Sequence, residues 1–325
     1  MSELSIKLTM PQRFKLRVLV NRVHAVIARS PMLSRLYLLL WGLILRSAGR
    51  VISLEKIIST LISEPWPSIA FPARMVWVTN DVSFRLVPHT CEFDMRALFG
   101  RDLHYEPDVF AALDRVMQSY DAIVEIGANV GVYTLFFCDT RRSAEVPVYC
   151  FEPSAEAFAR LNTNLAINEH KNVYAIPAAI AARSGLISFF QPVGHLTNGS
   201  MLQSFASIFS DTVNKLLVPA LDGSSIHTLV EHHKCLLLKI DVEGAEAEVL
   251  RTLQLMIEEK LPDIVIEVLQ PFESALNQFP WPQGYKKYAI TPEGLVLHDN
   301  FVASDSCRDY FVSERTMVAG SAIFC

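Results

Sequence analysis

Apolar and polar positions along the chain fall into two regimes. In residues 13–30 the apolar residues repeat at helical spacing: Leu16, Leu19, Val20, Val23, Val26 and Ile27 share one face, flanked by Arg13, Arg17, Arg22 and Arg29. Pro31 ends that helix or begins the next, and residues 36–45 then run without a charge between Arg35 and Arg46. The proline-rich stretch 65–72 reads as a linker. Residues 75–87 read as two short strands about Asn80 and Asp81, and 105–119 as a helix with Pro107 near its first turn. From residue 121 the pattern changes to short apolar blocks alternating with helical stretches. Strands are expected at 122–126, 148–151, 173–176, 235–241 and 263–268, with helices over 132–139 and 154–168 and a further helix stopped by Pro262. Such alternation builds βαβ units and a parallel sheet. Strand-like runs near 285–297 and 308–324 are expected to finish the sheet in an antiparallel manner.

Length and charge refine this division. A chain of 325 residues suits one large or two modest domains. The pattern divides it into a helical segment, 1–70, and an α/β domain, 71–325. The formal net charge is -5, so no basic footprint points to nucleic acid. The charge is uneven, however: residues 1–60 hold ten Lys/Arg against two Glu. A membrane-spanning helix needs roughly 20 apolar residues, and the uncharged run here is too short. Two readings of residues 13–60 stay open. The helices pack on the main domain or in a homodimer, or they form a cationic amphipathic anchor on an anionic membrane face. The expected location is cytoplasmic, with the inner face of the membrane admitted by the second reading. The six cysteines show no CxxC spacing, which points to a reducing compartment without a zinc site or disulfide framework.

The chemistry is concentrated in IVEIGANVG, 123–131: a strand, a tight loop and a helix start. Gly127 permits the turn, Ala128 and Asn129 lie in the loop, and Gly131 lets the helix come close. Ligands of open α/β sheets sit at the carboxyl ends of the strands. Glu152 ends the next strand, where a carboxylate can accept both hydroxyls of a ribose. Asp241 ends a later strand over the same crevice. A dinucleotide loop wants GxGxxG with a pyrophosphate at the helix N-terminus. Here the loop is GxNxG, with Glu125 two residues upstream, which would repel a pyrophosphate and suit the cationic end of S-adenosyl-L-methionine. A loop for some other nucleotide, or a mere tight turn, remains the alternative.

VEIGANVGVYT, YCFEPSAEAFARLNTNLAIN, LLLKIDVEGAEAEVLR and PDIVIEV, in that order and spacing, resemble the FkbM family of S-adenosylmethionine-dependent methyltransferases. YEP at 105–107 and NGSM at 198–201 also resemble its pattern. The resemblance covers roughly 105–270 and not the first 70 residues. It implies a class I methyltransferase fold: a Rossmann-like, mostly parallel seven-stranded sheet with helices on both faces. It also implies O-methylation of a hydroxyl on a sugar, glycan or secondary metabolite. No carboxylate stands in AAIAARSG, so adenine recognition is expected from backbone groups near Ala178 and Ala179.

An alcohol acceptor must lose a proton during transfer, and a base within reach assists. Asp241 is the first candidate, with a cofactor-orienting role as the alternative. Lys239 shares its face and can stabilise a developing alkoxide or form a structural ion pair. Glu267 is expected to contact the acceptor hydroxyl, with a structural hydrogen bond as the alternative. Glu243 can serve as the base in place of Asp241, contact the acceptor, or cap the following helix. His195, Asn198 and Ser200 lie in a loop placed to close over the acceptor, and Tyr105 and Glu106 precede the core, where they cover the methionine end or start a helix. No histidine accompanies the carboxylates at ligand spacing, so no metal is expected. Two rival readings are a nucleotide-dependent oxidoreductase and a non-catalytic scaffold on a methyltransferase fold.

Overall fold

The computed structural model describes residues 22–23, 26–27, 29–48, 70–89, 92–98, 101–103, 105–117, 120–140, 145–304 and 307–315. Most of the helix expected at 13–30, most of the 65–72 linker and the end of the 308–324 run lie outside these residues. The chain divides into two compact units, Met1–Val76 with Leu86–Leu103, and Trp77–Arg85 with His104–Cys325. Residues 86–103 thus group with the N-terminal unit.

In the first unit, α1 (Pro31–Ala48) carries the uncharged run. Ser30 caps it, its hydroxyl accepting from the Leu33 N–H at 3.4 Å and its carbonyl from the Ser34 N–H at 2.9 Å. A small core of Phe71, Met95 and Leu98 packs with Ile27 and Tyr37. No helix among the described residues is long and apolar enough to cross a membrane. The strands β1 (Arg74–Trp77) and β2 (Ser83–Leu86) lie where the sequence places them.

The second unit begins its alternation with α2 (Pro107–Val116), β3 (Ala122–Ile126), α3 (Val132–Thr140), β4 (Val148–Phe151), α4 (Ala155–Asn168) and β5 (Val173–Ile176). An insertion follows: β6 (Ala179–Ile180), β7 (Gly185–Pro192), α5 (Gln203–Phe209) and β8 (Val213–Leu221). Then come α6 (Gly223–Val230), β9 (Leu236–Ile240), α7 (Glu246–Lys260), β10 (Asp263–Glu267), α8 (Glu273–Asn277), β11 (Lys286–Thr291), β12 (Gly294–His298) and β13 (Asp309–Ser313). The main sheet runs β12-β11-β13-β10-β9-β3-β4-β5, parallel from β10 to β5 and antiparallel beyond. It has eight strands rather than the expected seven, because the chain turns at Pro292 and Glu293 and pairs β12 on the outer edge of β11. The insertion folds its own three-stranded sheet, β6-β8-β7.

Central strands buried on both faces need apolar residues at every position. AIVEI of β3 and LLLKI of β9 are buried throughout, polar exceptions included. Even-numbered residues of β9 and β10 (Leu236, Leu238, Ile240, Ile264 and Ile266) share a core with Val249, Leu250 and Leu253 of α7. Odd-numbered residues point to the other face. There Glu125 and Lys239 pair in register beneath Tyr133 and Thr134 of α3. Helices thus cover both faces, and the two polar exceptions lie side by side under α3.

Candidate active site

The site assembles where the parallel strands end. Gly127 (φ +89°), Asn129 (φ 51°) and Gly131 (φ +88°) all take left-handed backbone in the loop after β3. The loop also lies tight against the end of β9, whose Asp241 N–H donates to the Ile126 carbonyl at 3.0 Å. A Cβ on Gly127 would fall 1.7 Å from the Asp241 carbonyl oxygen, so glycine is required there by space as well as by φ. At Gly131 a Cβ would meet the tip of Leu161, 2.4 Å away.

Glu152, at the end of β4, is buried and fixed by two backbone donors. The Asn129 N–H reaches Oε2 at 2.8 Å and the Ser154 N–H reaches Oε1 at 2.7 Å. Burial pushes its pKa up to about 7 against the pull of those two bonds. Each oxygen keeps a lone pair for a further donor. Beside it the side-chain oxygen of Asn129 is buried with no hydrogen-bond partner. An orphaned acceptor and a fixed carboxylate above a glycine loop fit a ribose-bearing cofactor.

Glu125 lies deeper than a direct cofactor contact suggests. Its carboxyl is turned into the core, accepting from the Thr134 hydroxyl at 2.5 Å. Burial raises its pKa to about 8, and Lys239 and Thr134 only partly offset this. Ala179 is buried in β6, paired with Ala220 of β8 beyond the end of β5.

A second group of polar side chains surrounds Lys239. Its ammonium is 2.9 Å from Asp241 Oδ2 and 4.1 Å from the centre of the Tyr133 ring. Burial disfavours its charge, yet Asp241, Glu106 and Glu125 together outweigh that and hold its pKa above the ordinary lysine value. Asp241 is therefore an ion-paired carboxylate, the structural alternative left open for Lys239. The Tyr133 hydroxyl donates to Glu106, which holds a strained left-handed backbone (φ 40°, ψ 52°) as it caps α2. Tyr105 packs edge-on against Tyr133, with ring centres 6.3 Å apart.

Glu267, at the end of β10, stands opposite Asp309 in the β10–β13 ladder. Burial raises the proton affinity of both, and neighbouring carboxylates raise it further. Glu243 is raised likewise by burial and by Asp241, with Asn198 beside it pulling the other way. The loop carrying Glu243 is capped by Glu246 rather than by Glu243. Glu246 Oε1 accepts from the Val242 and Gly244 N–H groups at 3.1 and 3.0 Å. The Ser200 hydroxyl donates to the Glu243 carbonyl at 2.8 Å, so the NGSM segment docks on the β9 loop. His195, held below the ordinary histidine value by burial, sits 6.0 Å from the Phe209 ring. It joins no carboxylate in the described contacts. Among the described residues no three His, Cys, Asp or Glu are grouped to hold a metal ion.

Sequence reasoning passed over Tyr133 and Asp309; it placed Glu106 beside Tyr105 as a cover for the methionine end or a helix start, and missed its bond to Tyr133. Tyr133 is the second residue of a helix whose described side chains are almost all buried, which masks its polar role. Asp309 reaches the site only through antiparallel pairing with β10. The YEP segment was a signal for Glu106, but its left-handed backbone was not.

Residues 125–286 match the family model described as Methyltransferase FkbM domain. A hexuronic acid methyltransferase of Haloferax volcanii is 29% identical over 151 residues, 46% of this chain and 57% of that protein. A methyltransferase of Sordaria araneosa, sdnD, is 25% identical over 181 residues, covering 46% of this chain and 66% of that one. The matches thus span less than two thirds of each relative. Among solved structures, a methyltransferase FkbM from Methylobacillus flagellatus aligns with TM-score 0.40 and 12% identity over 61% of this chain and 44% of its own.

Proposed function

The chain belongs to the FkbM methyltransferase family through residues 125–286, and on that premise we propose that it is an S-adenosyl-L-methionine-dependent O-methyltransferase. Its acceptor is a hydroxyl of a sugar, glycan or secondary metabolite. The observation that carries this reading is the pairing of two sites at one sheet edge. Glu152 and the Asn129 loop face a ribose-bearing cofactor, and the carboxylates at the ends of β9, β10 and β13 face an acceptor. When bound, the cofactor supplies an activated methyl group, so holding the acceptor in line accounts for much of the rate.

Glu152 holds the ribose, and the backbone from Gly127 to Gly131 lets the cofactor approach. Carboxylates that accept hydrogen bonds orient a polyol well, in keeping with a relative named for hexuronic acid. Asp241 is engaged by the Lys239 ammonium at 2.9 Å, so the base role passes to Glu267. Burial and its neighbours raise the proton affinity of Glu267, and among the described residues no hydrogen bond engages its carboxyl. Lys239 and Asp241 fix the floor on which the acceptor rests.

The test is methyl transfer from labelled donor to a panel of neutral, acidic and amino sugars, read by mass spectrometry. Transfer to a hydroxyl is expected. Glu267→Gln should lower kcat about 100-fold while leaving affinity for S-adenosylhomocysteine unchanged. A Glu267→Gln enzyme as fast as wild type would return the base role to Asp241. Cofactor binding with no transfer to any acceptor would favour the scaffold reading.

A further inference from the structure

The first compact unit contains a cavity of about 360 Å³ beside the first turn of α1. Its lining includes Ser34 and Arg35 of α1, Arg74 and Met75 of β1, and Arg101. Three arginines thus line one concavity whose lining includes no carboxylate. Among the described residues none of their guanidinium groups makes an ion pair or hydrogen bond. Arg74 is partly withdrawn from water, and burial lowers its pKa with no counter-charge to offset this. Gathering like charges and desolvating one of them is unfavourable unless an anion completes the site. Guanidinium forks match phosphate oxygens in particular. The positive charge does not come from the helix end, because Ser30 already occupies the Leu33 and Ser34 N–H groups.

The same helix has two unlike faces. Ser34 is buried, and Tyr37 stacks on Phe71 at 6.1 Å. On the other face Met32, Leu36, Leu39 and Leu40 are 74, 53, 64 and 51% exposed, at the spacing of one helical stripe. Apolar residues so placed, next to arginines, leave both a greasy and a cationic surface without a partner in the described structure. Among the described residues no helix is long and apolar enough to cross a bilayer. The segment it belongs to is strongly basic, with ten Lys/Arg against two Glu in residues 1–60. A surface that offers hydrocarbon and phosphate together, and is negatively charged, complements all three features.

We propose that Arg35, Arg74 and Arg101 form a headgroup-phosphate site, and that this site and the apolar stripe of α1 dock the protein on an anionic phospholipid bilayer. The cavity takes the phosphate, and the stripe enters the acyl boundary. Binding weakens as salt rises, because the charge contribution is screened.

The test is vesicle flotation of the full-length protein, with phosphatidylcholine alone or mixed with phosphatidylglycerol. Two variants are compared: Arg35→Gln/Arg101→Gln, both exposed positions, and Leu36→Ser/Leu39→Ser. Thermal unfolding verifies that each is folded. Wild type should float with the phosphatidylglycerol vesicles and not with phosphatidylcholine. Each variant should bind roughly tenfold more weakly or less. Equal binding to both vesicles, binding to neither, or undiminished binding by the arginine variant would overturn the proposal. Calorimetric titration with inorganic phosphate separates the sources. Arginine-dependent phosphate binding by a protein that ignores the vesicles would mean that the cavity serves a soluble phosphate compound. Loss of a dimer in the leucine variant, with vesicle binding unchanged, would mean that a second copy covers the stripe.

Discussion

Lys239 shows how a single residue organises the acceptor side of the site. Its ammonium answers Asp241 at 2.9 Å, lies over Tyr133 and moderates the proton affinity of Glu106 and Glu125. Removing one partner of a buried pair costs more than the pair contributes, on the order of 3 kcal/mol. Lys239→Met should therefore lower Tm by several degrees at pH 8. Part of the loss should be recovered near pH 5, where the surrounding carboxylates take up protons. Thermal unfolding at the two pH values checks this; an equal loss at both would mean that Lys239 acts by packing alone. The sequence placed Lys239, Asp241 and Glu267 at strand ends correctly, because a charge closing an apolar run is easy to see. It did not show that Lys239 and Asp241 neutralise one another. It also did not show that Glu125 is bonded to Thr134, since both facts depend on side-chain packing under α3.

At the scale of elements, the β3–α3 turn is set by two glycines under different constraints. Gly127 faces backbone, while Gly131 faces only the flexible end of Leu161. Both have left-handed φ, which costs a substituted alanine about 1 kcal/mol or more. Gly127→Ala should thus be much the worse of the two, losing at least about 3 kcal/mol, whereas Gly131→Ala should stay folded with a modest loss. Urea unfolding of both variants decides; equal losses would show that backbone strain, not the approach of Asp241, dominates. The strands of this region were legible because buried parallel strands read as continuous apolar runs. The three-stranded insertion was less so: many residues of β7 and β8 are exposed, among them Leu186, Leu216 and Leu217. Their outward leucines blur the alternation that marks a strand. The eighth strand, β12, is a short half-exposed edge, and Asp309 joins the site only through a ladder between distant segments.

Across the whole molecule, buried carboxylates couple stability to pH. Burial raises Glu125 to about 8 and both Glu152 and Glu246 to about 7, against an ordinary value of 4.5. Each of these groups binds a proton more tightly folded than unfolded. Their contribution is complete below about pH 4.5 and is lost as pH rises through 7 to 8. His195, held below its ordinary value, acts in the opposite sense, but it is a single, partly exposed group. The protein should therefore melt at a lower temperature at pH 8.5 than at pH 5.5, and Glu125→Gln should flatten the difference. A Tm that rises over this range would mean that these carboxylates are solvated or paired in solution.

Whether the glycine loop and Glu152 hold S-adenosyl-L-methionine is decided by calorimetric titration with S-adenosylhomocysteine, run beside NAD. Micromolar or tighter binding of S-adenosylhomocysteine is expected, with none for NAD and roughly tenfold or greater weakening in Glu152→Ala, on the scale of a lost charge-assisted hydrogen bond. Binding of NAD, binding of neither compound, or undiminished affinity in Glu152→Ala would contradict that assignment.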